Sequence, residues 1–122
     1  MINVFALVDN RTRQTDRVDP QWLAPDSPVI LWVDIALPEA AAAEVLSGLF
    51  RFHELSVEDA LAEVHHPKIE SYDGYLYLIL HGIAYQARGE AFATHDIDFF
   101  LGQRYLVTVH DGTSRSIARI KE

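Results

Sequence analysis

Glu58, Asp59 and Glu63 lie just ahead of His65, His66 and Lys68 in the run FHELSVEDALAEVHHPKIESYDGY. Carboxylate and imidazole at this density can hold a divalent cation. On a helix, Asp59 and Glu63 are i, i+4 neighbours, and like charges so placed repel by a few tenths of a kcal/mol. A hard cation between them relieves that repulsion, and Mg²⁺ characteristically takes one or two protein carboxylates and keeps several waters. The alternative is plain helix chemistry. Acids in a first turn complement the helix dipole, which accounts for Glu58 and Asp59 but less well for Glu63. Spacing alone leaves both readings open.

Other chemistry has less support. The six histidines are 53, 65, 66, 81, 95 and 110, and no H-E-x-x-H or H-x-x-x-H spacing occurs among them. Adjacent His65 and His66 point apart in an extended segment, so they do not readily share one metal. There is no cysteine, which excludes disulfides and thiolate sites. No G-x-S-x-G elbow or glycine-rich phosphate loop is present. Asp96 and Asp98 share a strand face, as a glycosidase pair might, yet such a pair is as readily solvated. The expectation is therefore a protein that is not an enzyme. A net charge of −8 with only ten scattered basic residues argues against nucleic acid as a partner.

The elements that position these residues follow from pattern. Ile2 to Val8 reads as a first strand, with a weak second one around Arg17 and Val18. Pro20 to Pro28 is a proline-rich connection, and Val29 to Ile35 a buried strand. Pro38 opens a helix whose buried face is Ala42, Val45, Leu46 and Leu49. A second helix starts at Ser56, with Asp59 completing a capping box and Val57, Leu61 and Val64 as its apolar stripe. It should end near Val64 or His65, because His66 precedes Pro67.

Tyr75 to Tyr85, Phe92 to Leu101 and Tyr105 to His110 read as a meander, with a turn at Ala87 to Glu90. Asp96 and Asp98 fall on one side of the middle strand, and Ile97 and Phe99 on the other. Ser114 to Glu122 reads as the opening of a helix, and a helix so short without a stop signal is expected to belong to a longer chain. No apolar run approaches the roughly 20 residues of a membrane span, and the N-terminus lacks a signal-peptide pattern, so cytoplasm is the expected location. The length of 122 residues fits one domain.

These motifs, in this order, resemble the N-terminal cytoplasmic domain of the CorA-type divalent-cation transporters. Phe52-His53-Glu54-Leu55 is similar to a family element with proline at the third place. Val57-Glu58-Asp59-Ala60-Leu61 matches its acidic segment. His66-Pro67-Lys68-Ile69-Glu70-Ser71-Tyr72 matches a run that begins with arginine. Tyr75 to Leu80, Asp98 to Gly102, Tyr105 to His110 and Trp32 to Ile35 also fit, so the resemblance spans about residues 29 to 112.

The resemblance implies an α/β (α+β) fold: a mixed, largely antiparallel sheet flanked by helices in α/β/α layers. The domain would occupy residues 1–113, and 114–122 would begin the helix leading to the membrane part. It implies a regulatory, ion-sensing role in a homopentameric Mg²⁺/Co²⁺ transporter at the cytoplasmic face of the inner membrane. Glu58 and Asp59 would lie near divalent-ion sites between subunits, Glu63 being added as a metal ligand from its spacing to Asp59, with Mg²⁺, or alternatively Co²⁺, Ni²⁺ or Zn²⁺, as a regulatory ion. The family's Gly-Met-Asn pore signature is absent, since the only methionine is Met1. A stand-alone soluble metal-binding module is the alternative, and a metal-dependent hydrolase the more distant one.

Overall fold

The structure is a computed structural model, and it describes residues 1–62, 67–85 and 92–110, with 81–85 and 92–96 as backbone only. Seven strands form one sheet: β1 Ile2–Val8, β2 Arg11–Thr15, β3 Ile30–Ala36, β4 Lys68–Tyr72, β5 Tyr75–Tyr85, β6 Phe92–Leu101 and β7 Tyr105–His110. Their spatial order is β2-β1-β3-β7-β6-β5-β4. All neighbours are antiparallel except β3 and β7, which run parallel with Val33 opposite Val107. A parallel pair needs a long crossover. Here the crossover holds, among the described residues, both helical segments after β3, together with β4, β5 and β6. The mixed, largely antiparallel sheet is as expected.

Local chemistry explains the edges. Asp9 and Asn10 both have positive φ, 51° and 63°. That is the geometry of a tight two-residue hairpin, and it locks Val8 opposite Arg11. The second strand is therefore Arg11–Thr15, not a segment around Arg17 and Val18. It is an exposed edge carrying Arg11 and Arg13, and charges on an edge discourage further pairing. Asp73-Gly74 closes β4 onto β5, with Gly74 at φ 87°. Gly102 has no room for a side chain, because an added Cβ would sit 2.3 Å from the Tyr105 ring.

One face of the sheet is the core face. Val4, Ala6, Val33, Ile35, Tyr77, Phe100 and Val107 are fully buried there. Ala42, Leu46, Phe52, Val57 and Ala60 join them from the crossover. The helix expected from Pro38 has the predicted buried face, Ala42 and Leu46 inside with Val45 and Leu49 half-buried. It is π-helical over Glu44–Leu49, however, and Phe50 N–H donates to Val45 O at 3.0 Å. The Pro20–Pro28 connection contains a 3₁₀ turn, Pro20–Leu23, capped by the Asp19 carboxylate on Gln21 N–H.

The opposite face carries Leu7, Ile30, Leu76, Leu80 and Leu101, all exposed. A helical layer there, the other half of the α/β/α expectation, is not among the described residues. The expected turn at Ala87 to Glu90 and the helix from Ser114 lie outside the described residues. No helix among the described residues is long and apolar enough to cross a membrane.

Candidate functional site

The acidic segment sits on the α-helix α1, Glu54–Leu61. It starts two residues before the expected Ser56, and Ser56 does not cap it. His53 is the cap: its Nδ1 accepts from Leu55 N–H at 3.1 Å. Ser56 is fully buried instead. Its hydroxyl bonds to His53 O at 2.8 Å and to the Tyr75 hydroxyl at 2.9 Å. Tyr75 also accepts from His53 N–H at 2.8 Å. The imidazole takes the place that the capping-box reading gave to serine, and the serine is drawn inward to the β5 tyrosine.

Phe52 fixes the helix entrance. Its ring stacks on Phe100 at 4.3 Å and tilts against Tyr75 at 4.6 Å. Val57 and Ala60 bury one face of α1, which leaves Glu58 exposed and turns Asp59 towards β4. The helix ends at Leu61, with Ala62 extended. This is earlier than the expected end near Val64 or His65. The expected i, i+4 pairing of Asp59 with Glu63 lies outside the described residues. Glu63, Val64, His65 and His66 lie outside the described residues.

Asp59 meets a lysine. Lys68 opens the edge strand β4 and its Nζ donates to Asp59 Oδ2. The same Nζ lies 2.7 Å from Glu70 Oε1 and 5.6 Å from the Tyr77 ring centroid. The hydrogen bond to Asp59, and then that to Glu70, hold the ammonium well above the usual lysine range. The side chains of Lys68 and Asp59 stay 33% and 42% exposed. A pair so open to water is worth about 0–1 kcal/mol.

Behind this triad, Tyr77 is fully buried and donates to Asp98 Oδ2 at 2.5 Å. Burial first, and then that bond, push the Tyr77 hydroxyl far above the ordinary tyrosine range. Of the two readings left open for Asp98, the solvated one does not hold, because the side chain is buried on the core face beside Phe100. The Asp96 side chain is outside the described residues.

A second polar cluster went unpredicted. Asp34 on β3 is fully buried. Its Oδ1 accepts from Thr108 Oγ1 at 2.6 Å and lies 2.7 Å from His110 Nε2. Trp32 Nε1–H donates to Thr108 Oγ1 at 3.0 Å. The signal was available: an acid inside the apolar run VILWVDI needs buried partners. Register supplies them, since Asp34 pairs with Thr108 and Ala36 with His110.

Among the described residues no group of three or more His, Asp or Glu side chains is placed to hold a metal. Glu58 and Asp59 are adjacent on α1 but only Asp59 is engaged within the chain's described contacts. Two open clefts, of about 850 and 980 Å³, lie elsewhere, lined by Arg51 and Arg104 in one and Glu39 and Glu44 in the other. The described part of the acidic segment is thus a surface feature, with Glu58 exposed and Asp59 half-exposed.

Comparison with known proteins agrees with this architecture. The curated Bacillus subtilis (strain 168) protein YfjQ, named as a candidate metal ion transporter, is 33% identical over 91 residues, 75% of this chain and 27% of that one. The chain thus spans about a quarter of that relative's length. The soluble domain of CorA from Methanocaldococcus jannaschii superposes with a TM-score of 0.72 at 17% identity, over 99% of this chain and 44% of that one. The ZntB cytoplasmic domain from Vibrio parahaemolyticus RIMD 2210633 does so with a TM-score of 0.72 at 17% identity, over 98% of this chain and 47% of that one. At such identity the two structures speak for the fold. The family model described as "CorA-like Mg2+ transporter protein" matches residues 27–122, and the chain belongs to that family.

Proposed function

We propose that this chain is the cytoplasmic, ion-sensing portion of a CorA-like divalent-cation transporter. The transporter would be a homopentamer that reaches the membrane through segments beyond this chain. The observation that carries the reading is the placement of Glu58 and Asp59. They stand side by side on α1 of a domain of this family, one exposed and one half-exposed. They are hard oxygen donors of the kind Mg²⁺ and Co²⁺ accept, and two carboxylates leave room for several waters and a neighbour's ligands. Glu63 is proposed as an outlying third ligand. Ni²⁺ and Zn²⁺ remain the alternatives, the latter in keeping with the ZntB likeness.

The mechanism follows from linkage. An ion that bridges carboxylates of two subunits binds well only to the arrangement that brings them together. Its occupancy stabilises that arrangement by its differential affinity. If the bridged arrangement is the closed one, rising internal Mg²⁺ closes the pathway and ion loss releases it. The ion acts as a regulator, and no covalent chemistry is involved.

The test is uptake by the transporter that carries this domain, measured against internal Mg²⁺. Asp59→Ala is expected to make uptake less sensitive to internal Mg²⁺. Unchanged inhibition would count against Asp59 as a sensing ligand.

A further inference from the structure

We propose that the cleft beside the start of β7 binds a nucleoside phosphate, with its base against aromatic rings and its phosphates on Arg51 and Arg104. The site is independent of the ion-sensing reading and lies apart from the acidic segment of α1.

The cleft measures about 850 Å³, within the range of small-molecule sites. Its charge is unlike that of the chain. The protein carries 18 acidic residues and a net charge of −8, yet no Asp or Glu is among the described residues that line this cleft, while Arg51 and Arg104 both are. A cleft lined by one sign of charge concentrates ligands of the opposite sign.

Arg51 occupies a place where glycine is usual. It follows Phe50, the C-cap of the π-helical turn, and its φ is 58°. A Cβ is disfavoured in that left-handed backbone, which is why helices so often end on glycine. Phe52 N–H closes the turn on Leu46 O at 3.0 Å, a backbone bond that glycine at 51 would serve as well. The backbone therefore does not call for arginine, and what the side chain adds is a guanidinium on the cleft wall. Arg104 is anchored. Its Nη1 donates to Ser27 O on the proline-rich connection, and its own carbonyl accepts from Leu31 N–H at 2.9 Å. One such bond leaves most N–H groups of the fork over and holds it in place before a ligand arrives.

The facing walls are aromatic. Trp22, Phe50 and Tyr105 line the cleft, each half-buried, and the Phe50 and Tyr105 ring centroids lie 5.1 Å apart. Aromatic rings stack with a planar base whatever its identity. Guanidinium forks match phosphate oxygens in pairs. A nucleoside phosphate carries both parts, whereas a bare polyphosphate lacks the first and a nucleoside the second.

The experiment is equilibrium dialysis of radiolabelled ATP against the transporter that carries this domain. EDTA keeps divalent ions out, and unlabelled tripolyphosphate and adenosine serve as competitors. ATP is expected to bind about tenfold more tightly than either competitor. Arg51→Gly is expected to weaken ATP about tenfold with Tm near that of the parent, since glycine suits the backbone there. Trp22→Leu is expected to remove the advantage of ATP over tripolyphosphate. Absence of ATP binding by the parent would overturn the proposal, as would ATP affinity unchanged in Arg51→Gly. Tripolyphosphate bound as tightly as ATP, or an ATP advantage that survives Trp22→Leu, would do the same. If Arg51→Gly and Arg51→Asn, both suited to a left-handed backbone, fail to fold, the guanidinium is a structural prop and the site is refuted. Failure of the ion-sensing reading leaves every one of these results unmoved, because no divalent ion takes part.

Discussion

Two constellations in this molecule pair a carboxylate with a basic side chain, and they differ in exposure. At the sheet edge, Asp59 and Glu70 share the Lys68 ammonium under open water. At the sheet centre, Asp34 meets His110, Thr108 and, through Thr108, Trp32, with Asp34 0% and His110 5% exposed. Water sets the worth of each. Removing one partner from a buried cluster takes hydrogen bonds from groups that water does not reach, whereas breaking a surface pair returns two groups to solvent. The central cluster is thus a structural fastening of β3 to β7. The edge triad is a contact that can open and close at little cost.

The largest effect is expected at the centre. Asp34→Ala should destabilise the fold by about 2–4 kcal/mol, because it removes the buried acceptor to which both Thr108 and His110 bond. Urea unfolding measures it, and a loss below about 1 kcal/mol would erase the contrast with the edge. Next comes the tyrosine behind the edge triad. Tyr77→Phe keeps the packed ring but removes the donor to buried Asp98, at a cost of about 1–3 kcal/mol. The same denaturation curve reports it.

A pH series sharpens the comparison further. The folded state holds the Tyr77 proton above the ordinary value of 10.0 and the Lys68 proton above 10.5. Burial pushes Tyr105 up to about 12. For each, the folded chain keeps a proton that the unfolded chain releases. Their contribution is complete below pH 10 and is lost as pH rises through the folded values. Tm should therefore decline above about pH 10, and less steeply in Tyr77→Phe. A Tm as well kept at pH 11.5 as at pH 9, both chosen to bracket about one unit around these values, would contradict it. The smallest effect belongs to the edge: Lys68→Met should change stability by about 0–1 kcal/mol.

Most strands were legible in the sequence. Ile2–Val8, Tyr75–Tyr85, Phe92–Leu101 and Tyr105–His110 carry runs of β-branched and aromatic residues that leave little choice. Strand β4 was harder. KIESY has only Ile69 as a clear apolar signal, and the hairpin cue, Asp73-Gly74, lies just past its end. The start of α1 was misread because capping depends on partners. Ser56 looks like a cap until Tyr75, nineteen residues on, claims its hydroxyl. The acidic pair was legible, but its lysine was not. Only the return of β4 along α1 brings Lys68 back to Asp59. The central cluster was hidden in the same way, since the parallel register of β3 and β7 joins residues 76 apart.

The central claim is that Glu58 and Asp59 present an ion-binding surface to a neighbouring subunit. Equilibrium Mn²⁺ binding to the assembled transporter that carries this domain tests it most directly. The account predicts that Glu58→Gln together with Asp59→Asn removes a class of Mn²⁺ sites seen in the parent. A binding isotherm identical to the parent's would contradict it.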